Sequence, residues 1–165
     1  KLENCKVPDS SILGEKGKAY KSIAIPFRDA EDLLIMGPVL GCKAALMKII
    51  TENIIHKNLM LNHELKTELG MIHSSILAMR TLCLDAAVMM DSQDDPEELA
   101  CILLAVKAMA DKNLDNMESF YKNAGLEENP EWRRIMDDLR FAVRLAENIR
   151  RIRAEKQADI ILGKR

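Results

Sequence analysis

The chain has 165 residues, 48% of them hydrophobic and 30% charged, with a formal net charge of -2 and a pI near 6.0. That length and apolar content support one domain with a sizeable core, while the near-balanced charge withholds the basic face on which nucleic-acid binding depends. No run approaches the roughly 18 consecutive apolar residues of a membrane helix, and no charged-then-apolar leader precedes a cleavage site, so the sequence reads as cytoplasmic with no membrane span.

Residues 1–18 are loop grammar. Val7-Pro8, Ser10-Ser11, Gly14 and Gly17 stand where turns are punctuated, because proline presets φ and glycine admits positive φ. They read as the strand-and-turn exit from a β-domain that precedes an otherwise helical chain, and a start at Lys1 fits a piece of a longer protein.

Four helical segments follow, over about 19–57, 62–92, 96–124 and 130–162. The first carries Leu33, Met36, Leu40, Ala44, Met47, Ile50 and Ile54 at helical steps, with a kink predicted at Gly37-Pro38, where proline removes a donor and crowds the preceding turn. In the second, Leu65, Leu69, Ile72, Ile76, Met79, Cys83, Ala86 and Met90 alternate steps of four and three without a miss. Asp95-Pro96-Glu97-Glu98 announces the third with a cap, a first-turn proline and acidic residues, and its face is Leu99, Leu103, Val106, Ala110, Met117 and Tyr121. Asn123-Ala124-Gly125 stops it, and Asn129-Pro130-Glu131 starts the fourth, through Trp132, Ile135, Leu139, Ala142, Ala146 and Ile149 toward Leu162. Long helices with short connections pack antiparallel, so the fold class is all-α: an up-down four-helix bundle preceded by a short strand/turn remnant. Leu34, Ile35, Leu77, Leu84 and Leu104 lie beyond these stripes and imply a second buried face, which suits a homo-oligomer formed through the bundle helices.

Chemistry-bearing residues are sparse. Cys5, Cys42, Cys83 and Cys101 form no CxxC pair and read as buried free thiols. His56, His63 and His73 belong to no Glu-x-x-His pair of the kind that holds two irons in bundle cores, so no metal site is expected. Arg150, Arg151, Arg153 and Lys156, interleaved with Glu147, Glu155 and Asp159, read as a solvated face, with phosphate binding as the sharper alternative.

The order Val-Pro, Ile-Leu-Gly, Gly-x-x-Tyr and then a long helix, in CKVPDSSILGEKGKAY, resembles the passage from the middle β-domain into the C-terminal helical domain of the acyl-CoA dehydrogenases. The likeness continues through DAEDLLIMGPVLGCKAALM, and in layout it covers the whole chain. It implies FAD as cofactor, an acyl-CoA substrate, and a glutamate that removes the α-proton of the thioester. In some branches that base lies in the first bundle helix two residues after an aspartate, which Asp29-Ala30-Glu31 matches. In most it lies near the chain end, and aligned from the terminus that position falls at Ile152-Arg153-Ala154-Glu155. Glu31 is therefore the first candidate base and Glu155 the second. Glu31 and Asp32 read equally as carboxylates that stabilise a helix's first turn. The resemblance assigns no flavin-binding residue here: ENIIHKNLMLNHEL lacks the family's Arg…Phe-Gly segment and YKNAGLEENPEW its glycine-rich turn. Two functions stand, a helical domain of an FAD-dependent acyl-CoA dehydrogenase, inactive when isolated, and a non-catalytic helical scaffold for dimerisation or partner binding.

Overall fold

The computed structural model describes residues 3, 5–6, 8–92, 95–127, 129–144 and 147–163, the side chains of 29, 144, 148 and 149 excepted. The fold is all-helical, with no strand among the described residues. Val7 and Ala146, and the side chain of Ile149, lie outside them. Where a strand-and-turn remnant was predicted, Asp9–Ser11 is a 3-10 turn closed by a hydrogen bond from the Ser11 amide to the Pro8 carbonyl. Gly14 and Gly17 follow at φ 77° and 83°, the left-handed region their lack of a Cβ makes accessible.

The first predicted helix is three pieces. A π-helical turn, Tyr20–Ala24, leads into α1 (Ile25–Leu34), and α2 runs Met36–His56. Pro26 has no amide to continue the α-helical ladder, and the Ile25 amide reaches back instead to the Tyr20 carbonyl. Between α1 and α2 the helix breaks at Ile35. The break falls one turn before Pro38, next to the Leu34 carbonyl that proline leaves without a donor and crowds with its ring, while the Ile35 carbonyl still accepts from the Val39 amide. Because the helical chain begins so early, Glu31 and Asp32 sit past the middle of α1, not in a first turn, and the helix-start role predicted for them does not hold.

Side-chain oxygens open the next three helices. Asn62 accepts from the Leu65 amide at the start of α3 (His63–Ser92), Asp95 accepts from Glu97 and Glu98 at α4 (Pro96–Asn123), and Asn129 accepts from Glu131 and Trp132 at α5 (Pro130–Arg144). α6 is Glu147–Ile161. α4 ends in a Schellman motif, with Leu126 donating to the Tyr121 carbonyl, Gly125 to that of Lys122, and Gly125 at φ 63°. Asn58, at φ 49°, closes α2 in the same way without glycine.

One hydrophobic cluster joins α2, α3, α4 and α5. α3 lies along α4, α2 packs against α3 and α5, and α1 and α6 flank α4. All eight seam positions named for α3 are buried or half-buried, and so are the six named for α4, to which the structure adds Asn113, Leu114 and Phe120. On α2 the register differs: the buried line is Met36, Val39, Lys43, Leu46 and Ile50, while Ala44 is exposed and Leu40 and Met47 lie at the edge. Leu162, taken as the end of the fourth face, is exposed. Tyr20–His56 and His63–Ser92 are also long and apolar enough to cross a membrane by length and composition, where the sequence reading found no such run. Core helices pass the same criterion, and both stretches supply buried residues to the cluster.

Candidate functional site

Successive helix residues point about 100° apart, and that separates the two central carboxylates of α1. Asp32 turns inward to 7% exposure, where Lys107 of α4 and Arg153 of α6 both donate to it, the latter at 2.5 Å. Glu31 turns outward. At spacings of four and three it shares its face with Phe27 and Leu34, which are 64% and 73% exposed, and Tyr20 in the preceding π turn is exposed as well. Glu31 is thus a carboxylate set between apolar side chains on an uncovered helix face, with no ion pair or hydrogen bond among the described side chains. Glu155 is exposed on α6 and faces Arg151 at 3.9 Å.

The basic run of α6 does not form a single solvated face. Arg150 reaches Asp111 of α4 at 3.1 Å and Arg153 reaches Asp32, whereas Arg151 stays in solvent with Glu155. Two of the four cations considered for phosphate binding are therefore committed to carboxylates of the same chain.

The most enclosed polar group is one the sequence reading did not single out. Lys43 has no exposure, and its Nζ donates to the Ala110 carbonyl at 2.9 Å and to Asn113 Oδ1 at 3.1 Å. Asn113 Nδ2 in turn donates to the Ile72 carbonyl at 3.1 Å, so one lysine and one asparagine tie α2, α4 and α3 together. The methylenes of Lys43 occupy an apolar seam position while its amine finds oxygens on α4. Burial pushes its pKa down to about 8, against the opposing fields of Asp111 and Asp115. A lysine lowered in the folded state releases its proton while the unfolded chain still holds one. Stability should therefore rise between pH about 8 and 10.5, where only the unfolded chain holds the proton, and stay level at its lower value below 8, where both states hold it. The gain is about 3 kcal/mol, read as the difference between wild type and Lys43→Met in urea unfolding across that interval.

The thiols differ from expectation: Cys5 and Cys101 are exposed, while Cys42 and Cys83 are half-buried against the core. Burial pushes the Cys83 thiol up, away from the thiolate a nucleophile needs. Among the described residues no three His, Cys, Asp or Glu side chains converge on a point that could hold a metal.

A cleft of about 660 Å³ opens between the end of α4 and the start of α5, lined by Glu118, Lys122, Trp132, Arg134, Asp137 and Arg140 among others. Its charges are largely spent on one another. Arg140 donates to Glu118, Lys122 lies 3.2 Å from the same carboxylate, and Asp137 lies 3.9 Å from Arg140. Arg140 holds the Glu118 carboxyl below the ordinary range and is itself raised by it. Beneath the cleft, Tyr121 and Trp132 stack with ring centroids 4.0 Å apart and are buried. No buried side-chain nitrogen or oxygen among the described residues is left without a partner. A flavin calls for donors free to meet a pyrophosphate and a polar ring edge, and no buried side-chain donor among the described residues is free for that role. Against family models, curated proteins and solved structures, the chain matches none.

Proposed function

We propose that this chain is the C-terminal helical domain of an acyl-CoA dehydrogenase-like, FAD-dependent oxidoreductase, with Glu31 as the base that takes the α-proton of an acyl-CoA thioester. In this reading the helices form an up-down four-helix bundle in which α1 with α2 is the first member and α5 with α6 the fourth, entered from a β-domain through the turns before Tyr20. The supporting observation is the setting of Glu31 between Phe27 and Leu34 on an uncovered apolar face, with no capping duty. A domain laid over that face would take the carboxylate out of water. Desolvation disfavours the charged form and strengthens it as a base for a weakly acidic carbon. No residue of this chain is assigned to the flavin, which the reading places against chain beyond these 165 residues.

A second reading, a non-catalytic bundle for dimerisation or partner binding, draws on α3. Leu77, Leu84 and Val88 line its outer side, about half a turn away from the buried seam of Ile72, Met79 and Ala86, and are exposed. Either reading accommodates a homo-oligomer through these helices.

The deciding experiment takes the longest form of the protein, records its visible spectrum and adds a panel of acyl-CoA thioesters. The expected result is a yellow flavoprotein bleached by one of them. Glu31→Gln should then slow bleaching by a factor of about 10² to 10⁴ with the oxidised flavin still bound, the range for loss of a positioned base. If Glu155→Gln does so instead, the base lies on α6. A colourless protein indifferent to thioesters overturns the reading and leaves the scaffold.

A further inference from the structure

We propose that the cleft between the end of α4 and the start of α5 is a binding site for a small organic carboxylate with an apolar body, whose anion pairs with Arg134. The site lies apart from the face assigned to Glu31. Asp32, next to Glu31, meets α4 at Lys107, and Glu118 at the cleft stands about 16 Å further along the axis of that helix.

The cleft is concave and its walls are fixed without a ligand. Its volume of about 660 Å³ falls within the range of small-molecule sites. The floor is the buried stack of Tyr121 on Trp132, and the Tyr121 hydroxyl is held in turn by the Glu127 carbonyl. Leu126 and Met136, both buried, extend that floor with apolar surface. Asn129 occupies the first amides of α5, so recognition of an anion falls to side chains and not to the helix start. A ligand entering here has little protein to order, which removes one of the costs of binding.

Charge decides the kind of ligand. Glu118 and Asp137 are the carboxylates lining the cleft. Glu118 gives one oxygen to Arg140 and the other to Lys122, and Asp137 faces Arg140 at 3.9 Å. Arg140 holds the Glu118 carboxyl below the ordinary range, so this pairing persists at neutral pH. Arg134 lines the same cleft and is exposed, and its side chain has no ion pair or hydrogen bond among the described residues. Across Lys122, Arg134, Arg140, Glu118 and Asp137 one positive charge is therefore left over, and it sits on a planar fork that matches the two oxygens of a carboxylate. A monoanion answers that surplus, and the apolar floor favours a body that leaves water on binding. A cation would meet repulsion, and a neutral apolar molecule would leave Arg134 unmatched.

Trp132 is the single tryptophan of the chain, so its emission reports on this cleft. Added to the full chain, 4-phenylbutyrate should change that emission saturably, with half-saturation at about 1 mM or below. The alcohol 4-phenylbutanol and the amine 4-phenylbutylamine keep the body and replace the anion, and each should bind at least about tenfold more weakly. Arg134→Gln should weaken phenylbutyrate binding by about tenfold with the urea midpoint unchanged, whereas Arg151→Gln on α6 should leave binding as it is. The same acid titrated into nitrogen-15-labelled protein should shift the amides of residues 130–136 and not those of α3, which detects a ligand that leaves the emission unaltered. No saturable response in either measurement overturns the site. Equal binding of the alcohol, or full affinity in Arg134→Gln, overturns the assignment of a carboxylate to it.

Discussion

Asn113→Leu should destabilise the protein by about 3–5 kcal/mol in urea unfolding, although leucine is the more hydrophobic side chain and the site is buried, because it strands a charge. Asn113 accepts from Lys43 and donates to Ile72, and both of those partners are enclosed. With leucine in its place the ammonium keeps only the Ala110 carbonyl, and the Ile72 carbonyl loses its side-chain donor. A buried donor or acceptor left unmade costs about 1–3 kcal/mol, and a charged one costs more. Lys43→Met should be much milder. It removes the desolvated charge together with its hydrogen bonds, and the unbranched side chain follows the same path along the seam. The double variant Lys43→Met with Asn113→Leu should then recover most of the loss, or exceed wild-type stability, as apolar replacements of buried ionic groups often do. The sign of the interaction in that cycle is the test. If the two single changes simply add, the pair is not the coupled unit that its geometry describes.

This pair also explains which parts of the fold were legible in the sequence. The seam of α3 is apolar at every step from Leu65 to Met90, so its period alone located the buried face. Caps are similarly explicit, because the residues that close orphan amides, Asp95 and Asn129, announce themselves by type and position. α2 was misregistered because its true seam, Met36-Val39-Lys43-Leu46-Ile50, has a lysine at its centre, while the neighbouring line through Leu40, Ala44 and Met47 is apolar throughout. Apolar periodicity cannot weigh a lysine whose stem packs and whose amine meets an oxygen on another helix. The missing signal was present one helix away, in Asn113, a polar residue set between Ala110 and Met117 on an otherwise apolar face. The basic run of α6 failed for a related reason. Its composition is that of a solvated face, and only the positions of Asp32 and Asp111 on other helices turn Arg150 and Arg153 inward.

The candidate site carries the same lesson in its adjacent carboxylates. Glu31→Ala should change stability by no more than about 0.5 kcal/mol, as exposed substitutions do, whereas Asp32→Ala should cost about 2–4 kcal/mol in the same urea titration. Asp32 is the anion between Lys107 and Arg153, with side-chain exposures of 9% for the aspartate and 17% and 19% for the cations. Removing it leaves two positive charges facing each other where solvent screens them only in part, and it loosens α1 from both α4 and α6. Residual exposure of the cations keeps the figure below that of a fully enclosed pair. Arg153→Met should recover part of the Asp32→Ala loss by taking away one of the stranded charges, which simple loss of packing would not allow. A large effect at Asp32 with a small one at Glu31 would leave the outward carboxylate without a structural duty, which is the condition its proposed role as a base requires. Equal and large effects would make Glu31 a structural residue and remove the observation on which that role rests.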